Sequence, residues 1–168
     1  MLAETIDVAF DLLLLVGLPA LFVFFVLKGA IVGKPLPTTV LLPGYVLAVS
    51  ATWTEAAIIV LTSSMAYVTG QMIVYYGARR DGEAFVRSLP RVDLSESNLA
   101  RGEQLFDRYG GPSIFVTNFV PYLRGLILLP AGIARYSPPR VVVYAYSSTL
   151  IYHAAVVLVG VGTVRAIV

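Results

Sequence analysis

The sequence predicts an all-α integral membrane protein. Its plan is about three full transmembrane helices and two opposed, Pro/Gly-broken re-entrant helical hairpins, with a short amphipathic helix between the halves. Three observations predict it. Of 168 residues, 58% are hydrophobic and 13% charged, where soluble domains run roughly 45–50% apolar and 25% charged. Apolar runs long enough to span a bilayer recur along the chain. Two apolar stretches are broken by proline and glycine where a lipid-facing helix would be continuous, and lipid tolerates non-helical backbone only where protein buries it or it lines a cavity.

The first span is Ile6 to Leu27, roughly 33 Å at 1.5 Å per residue. Asp7 and Asp11 lie in its first turns, near the interface. The N-terminus, Met1 to Asp7, is acidic where a secretory leader is basic, so this run is expected to be retained. Lys28 to Lys34 reads as a connector. Pro35 to Ser50 is the first broken segment. Pro43 removes a helix hydrogen bond and Gly44 takes turn angles freely, so a helix-break-helix hairpin is expected there. Trp53 suits the membrane interface. Glu55 to Tyr76 is the second span. Ser63, Ser64, Thr69, Gly70 and Gln71 give it small and polar positions, which mark a helix packed against protein. Glu55, in its first turn, favours the helix dipole.

Arg79 to Arg108 is the one long hydrophilic stretch, with arginines balanced by acids. Asp93 or Ser95 caps an amphipathic helix whose apolar stripe includes Leu99, Leu105 and Phe106. Gly110-Gly111-Pro112 stops it. Ser113 to Ala134 is the second broken segment, punctuated by Pro121, Gly125, Pro130 and Gly132. Pro138-Pro139 opens the last helix, about Arg140 to Val161, and Thr163 to Val168 is a tail. The result is a single membrane domain, 1–168. Within it, 1–29 is the first helix, 30–77 the first hairpin and helix, 78–110 a cytoplasmic linker, and 111–168 the second hairpin and helix. Eight arginines in the loops Arg79–Arg108 and Arg135–Arg140 put those loops, and with them the N-terminus, on the cytoplasmic side of a plasma membrane. Direct internal likeness is loose: Pro43-Gly-Tyr-Val-Leu mirrors Pro121-Tyr-Leu-Arg-Gly, and Ser64-Met-Ala-Tyr67 mirrors Thr149-Leu-Ile-Tyr152.

Net charge is +2 and dispersed, which gives no footprint for nucleic acid. With no cysteine and one histidine, neither a disulfide framework nor a multi-histidine metal cluster is available, and no cofactor is implied. Paired broken segments in two halves point to a transport site near the bilayer midplane. Arg124 lies inside the second. A charge there costs about 2.5–3.5 kcal/mol on insertion scales, and arginine grips phosphate with two parallel N–H donors. Arg124 is therefore the leading ligand contact. Asn118 both donates and accepts. Pro43, Gly44, Pro121, Gly125, Pro130 and Gly132 shape the hairpins. His153 reads as a packed, hydrogen-bonded ring.

The run from Phe106 to Gly162 resembles the signature half of the DedA family, which carries the VTT domain. Phe119, Pro121 and Arg124 fit the family's Arg-Phe-x-Pro-x-x-Arg, and Pro130-Ala131-Gly132 its Pro-Ala-Gly. In the first half, Pro43-Gly44 stands for Pro-Gly-Glu, and Gly70-Gln71 with Tyr75-x-Gly77 for Gly-Asp and Tyr-x-x-Gly. The resemblance covers about residues 30 to 165. It implies two opposed hairpins and movement of lipids, either phospholipids or polyprenyl-phosphate carriers. Tyr45, Gln71 and Asn118 stand where the family carries glutamate, aspartate and arginine. Those three and Arg124 are thus the expected headgroup contacts. The missing acids imply transfer without proton coupling. Membrane lipids are the expected partners, with a second copy of the chain as a further one. The competing expectation is a non-transporting scaffold of the envelope; a membrane enzyme is not expected.

Overall fold

The computed structural model describes residues 15–30, 38–89, 96–120 and 123–167. Among the described residues the main helices are, in order, α1 (Leu18–Ala30), α2 (Thr38–Ala48), α3 (Trp53–Asp81), α4 (Glu83–Ser88), α5 (Glu96–Tyr109), α6 (Gly111–Thr117), α7 (Leu128–Ile133) and α8 (Pro138–Ile167). No strand occurs among the described residues. α3 is central and packs against α1, α7 and α8, while α2 and α6 lie on α8.

α3 and α8 are both long and apolar enough to cross a bilayer. Their polarity is turned inside out. On α3, Ile58, Leu61, Met65 and Ile73 are exposed while Ser63, Ser64 and Gln71 are buried; on α8, Val143, Ile151 and Val159 are exposed while Ser148, Thr149 and His153 are buried. In water such a surface loses about 25 cal/mol per Å² of exposed apolar area. In hydrocarbon it costs nothing, and the polar groups must find partners within the protein. The chain is a membrane protein.

The same turn precedes both long helices. After α2, Ser50 (φ 49°) donates to Leu47 O at 3.0 Å and Ala51 donates to Val46 O at 3.0 Å. After α7, Arg135 (φ 52°) donates to Gly132 O at 2.9 Å and Tyr136 to Ala131 O at 3.0 Å. Both are Schellman caps. The first leads into a capping box: Thr52 N donates to Glu55 Oε2 at 2.7 Å and Glu55 N to Thr52 Oγ1 at 3.3 Å. The second is clamped from α3. Arg79 Nη1 donates to Tyr75 Oη at 2.6 Å and to the Arg135 and Tyr136 carbonyls at 3.2 Å, and Tyr75 Oη also donates to Tyr136 O.

Several expectations are corrected. α2 runs unbroken through Pro43 and Gly44, so neither shapes a tip. The turn falls at Ser50 instead. Pro43 is tolerated because its ring packs on Gly160 of α8, where an added Cβ would lie 2.6 Å from the ring carbons. Lys28, expected in a connector, is helical and buried in the last turn of α1. Gly17 (φ 73°) interrupts the helix just before α1. Gly111 and Pro112 begin α6 rather than only ending α5, and the expected tail continues α8 to Ile167. The expected caps Asp93 and Ser95, and Pro121, lie outside the described residues. The second break stands: α6 ends at Thr117, α7 starts at Leu128, and Gly125 between them has φ 87°, where a side chain is strained. Pro130 is buried in α7, and Gly132 is where α7 meets α3, with Ala78 Cβ 2.8 Å from a Cβ built there.

Candidate functional site

Short turns bond the described backbone between α6 and α7. Val120 N donates to Thr117 O at 3.0 Å, Arg124 N to Val120 O at 3.2 Å and Leu126 N to Leu123 O at 3.1 Å. These turns hold Arg124 against the two long helices. Its guanidinium carbon is 4.3 Å from the ring centroid of Tyr67 on α3 and 4.3 Å from that of Tyr152 on α8. Each such stack contributes about 0.5–1 kcal/mol when exposed and about 2 when desolvated. The stacks fix the plane of the guanidinium but use none of its N–H donors. Nε and Nη2 are buried with no hydrogen-bond partner.

Asn118 and Gln71 meet each other. Gln71 Nε2 donates to Asn118 Oδ1 at 3.1 Å, and Asn118 Nδ2 donates to Ser148 Oγ at 2.7 Å and to Ala145 O at 3.4 Å. Both amides are at most 1% exposed. Asn118 is filled by these bonds, while Gln71 keeps Oε1 unpartnered. Tyr45 is buried in a different place. It lines a cavity of about 220 Å³ with Leu18, Val49, Glu55, Ile58 and Ile59.

Sequence reasoning missed part of this neighbourhood. Tyr67 and Tyr152 are its walls. Lys28 is buried beside Phe25, with Nζ 5.7 Å from the ring centroid. The His153 ring lies 5.1 Å from Phe25, 6.0 Å from Tyr67 and 6.0 Å from Tyr152, centroid to centroid. Thr149 Oγ1 and His153 Nε2 are buried without partners. One signal was present: the likeness of Ser64-Met-Ala-Tyr67 to Thr149-Leu-Ile-Tyr152 names the two tyrosines that sandwich Arg124. No comparable signal marked Lys28, because its burial depends on how far α1 runs.

The arrangement offers two buried guanidinium donors and several orphan acceptors. Every acidic side chain that is described (Glu55, Asp81, Glu83, Glu103 and Asp107) is exposed, while Arg124 Nε and Nη2 are buried. Charge-assisted N–H donors in a low-dielectric site favour a planar or tetrahedral oxyanion. Alongside, Trp53, Val60, Leu61, Leu150, Ala154 and Leu158 line an apolar groove of about 310 Å³ between α3 and α8.

The family model described as "VTT domain" matches residues 35–162. Undecaprenyl phosphate transporter A of Staphylococcus aureus is 30% identical over 105 residues, 60% of this chain and 52% of that protein. A Lactococcus lactis subsp. lactis protein named "Alkaline phosphatase-like protein" is 26% identical over 136 residues, 75% of this chain and 62% of its own length. The membrane protein YkoX of Bacillus subtilis is 30% identical over 78 residues, 46% of this chain and 35% of that protein. The chain thus spans about half to three fifths of the first two relatives. No solved structure matches it.

Proposed function

This chain belongs to the family of the VTT domain, the DedA family, and from that premise we propose that it moves a phosphate-bearing lipid between the leaflets of the plasma membrane. One observation carries the reading: Arg124 is fixed between two tyrosine rings with Nε and Nη2 buried and unpartnered. A buried donor without a partner costs roughly 1–3 kcal/mol, more when charged. A lipid phosphate at those two N–H groups removes that cost and gains a charge-assisted pair.

The hydrocarbon chain of the lipid lies in the apolar groove between α3 and α8. The groove begins near Trp53 and ends at Leu150 and Ala154, beside Thr149 and His153 of the polar cluster. The broken stretch after α6 is a re-entrant hairpin that lets the headgroup approach from one face. Tyr45, Gln71 and Asn118 stand in place of family charges, so transfer proceeds without proton coupling. The cytoplasmic side carries the arginine-rich linker and the N-terminus, and the chain is one membrane domain.

The relative named a transporter carries a lipid phosphate; those named phosphatase-like share the phosphate but imply hydrolysis. Transport fits this site better. The serine hydroxyls nearest His153, those of Ser63 and Ser64, are directed at the Val60 carbonyl, at 3.1 and 2.7 Å. They are not poised as nucleophiles with the histidine as base.

The test is reconstitution in liposomes with headgroup-labelled lipid and an outer-leaflet quencher, run with a phospholipid and with a polyprenyl phosphate. The native protein should take the quench well past half of the signal. Arg124→Gln, which keeps the bulk, should slow the excess at least tenfold while the protein still melts cooperatively. A quench that stops at half for both lipids, as in empty liposomes, makes the protein a scaffold and not a translocator.

A further inference from the structure

The arrangement around His153 decides where its proton sits. Nδ1 lies 3.1 Å from Ser64 Oγ and 3.3 Å from Ser63 Oγ. Each hydroxyl has a single hydrogen, and both are directed at Val60 O, the Ser64 bond being only 2.7 Å. The serines therefore meet the ring with lone pairs, and the contact needs the hydrogen on Nδ1. A second hydrogen, on Nε2, would leave a charged donor fully buried without a partner, so the neutral form fits the site. Nε2 is then a lone pair: an acceptor, fully buried, with no partner. Across the same tyrosine walls lie the unused donors of Arg124. A complementary ligand must bring negative oxygens for Arg124 and a hydrogen for His153.

We infer that His153 is a specificity-determining residue, whose Nε2 accepts the hydroxyl hydrogen of a protonated phosphate monoester and thereby favours a lipid monophosphate over a phosphodiester. A phosphodiester presents oxygens to Arg124 equally well but carries no P–OH, and would leave Nε2 buried and unsatisfied. The serine pair acts through the ring by setting its tautomer. Gln71 Oε1 and Thr149 Oγ1 stand by as further acceptors for the same hydroxyl or for a bridging water. This inference rests on the phosphate reading of Arg124. It adds to that reading the feature that tells one phosphate ester from another.

The test compares binding of a short polyprenyl monophosphate with that of its monomethyl ester, which differs only in replacing P–OH by P–OCH3. The purified full chain in detergent is titrated at about pH 6, where a large fraction of the monoester retains its hydroxyl. Native protein should prefer the monoester on the order of tenfold, the yield of one well-made hydrogen bond. The preference should fall toward unity by about pH 8, as the ligand loses that hydrogen. His153→Leu should erase the preference, and His153→Gln, whose amide oxygen reaches the Nε2 position, should keep most of it. Equal binding of the two esters by native protein overturns the inference, and needs no variant that might misfold. So does a preference that grows with pH, the behaviour of a site that counts charge alone. So does one that survives in His153→Leu. Failure to bind either ester sinks the phosphate reading itself, and the role of His153 with it.

Discussion

Gly70→Ala should separate α3, which carries one wall of the site, from α1. A Cβ on Gly70 of α3 would overlap the Val26 carbonyl oxygen and lie 2.7 Å from Ala30 N and 2.8 Å from Gly29 C of α1. Reciprocally, a Cβ on Gly29 would overlap Tyr67 O and lie 2.9 Å from its carbonyl carbon. Real Cβ atoms do not come within 3.0 Å of such neighbours, and these neighbours are backbone, which has no rotamer to escape into. The helices must part by about 1 Å. A gap of that size forfeits a quarter to a half of each dispersion contact it opens, and Leu21 and Phe25 of α1 are fully buried. Overpacking typically costs about 1–3 kcal/mol. At roughly 2–4 °C per kcal/mol for a chain of this size, Tm in detergent should fall by about 3–10 °C. The same shift moves Lys28 and Phe25 away from Tyr67, Gln71 and His153, so lipid transfer should weaken more than stability alone explains. Gly29→Ala should behave alike. The double variant should cost less than the sum, because the first methyl has already opened the space for the second. A Tm within about 1 °C of native for Gly70→Ala, or strict additivity in the double variant, would refute the close-crossing account.

Two further substitutions separate stability from function. Thr52→Ala removes the capping box at the start of α3 and should cost about 1 kcal/mol, read as a lower Tm with the rate of lipid transfer unchanged, since Thr52 lies outside the Arg124 site. Asn118→Leu removes the partner of Gln71 Nε2 and a donor to Ser148, and a buried group left unpaired costs roughly 1–3 kcal/mol. Adding Gln71→Leu should recover part of that loss, measured again as Tm, because removing both ends of a buried bond is cheaper than removing one.

The membrane class, the two long helices, the amphipathic helix before Gly110 and the second break could all be read from the sequence. Each depends on composition, on a periodic stripe or on local stop chemistry. The first hairpin could not. Pro43 in an isolated helix is a breaker, but in this fold its ring rests on Gly160, a residue of α8 far along the chain. The turn itself falls at Ser50, an ordinary residue held in a left-handed conformation by a Schellman cap. Arg124 was legible because a charge inside an apolar stretch has to be accounted for. Its partners were harder to see. Tyrosines in a membrane helix usually mark the interface, and only the loose likeness of Ser64-Met-Ala-Tyr67 to Thr149-Leu-Ile-Tyr152 sets Tyr67 and Tyr152 apart from the others. Lys28 was read as a connector because the sequence shows an apolar run ending there, not a helix continuing past it.

The three departures from the family pattern are not three independent losses. Positions 71 and 118, an acid and an arginine in the family pattern, are here an amide pair joined at 3.1 Å. Two neutral amides keep the link between α3 and the end of α6 while removing both charges. The consequence falls on Arg124. Gln71 sits one helical turn from Tyr67, the ring on which Arg124 stacks. An aspartate there would be a nearby countercharge, worth several kcal/mol at partly buried separations. Glutamine offers an orphan carbonyl oxygen instead. A site with its own acid can rest neutral when empty and must break an internal pair to take up a phosphate. With glutamine at 71, the guanidinium donors meet no such competitor from that position, so under the proposed function a phosphate would bind without displacing an internal partner. Under the proposed function, the substitutions thus trade a switchable ion pair for a standing anion site. That trade is what the proposed function, transfer of a phosphate headgroup without proton coupling, would require.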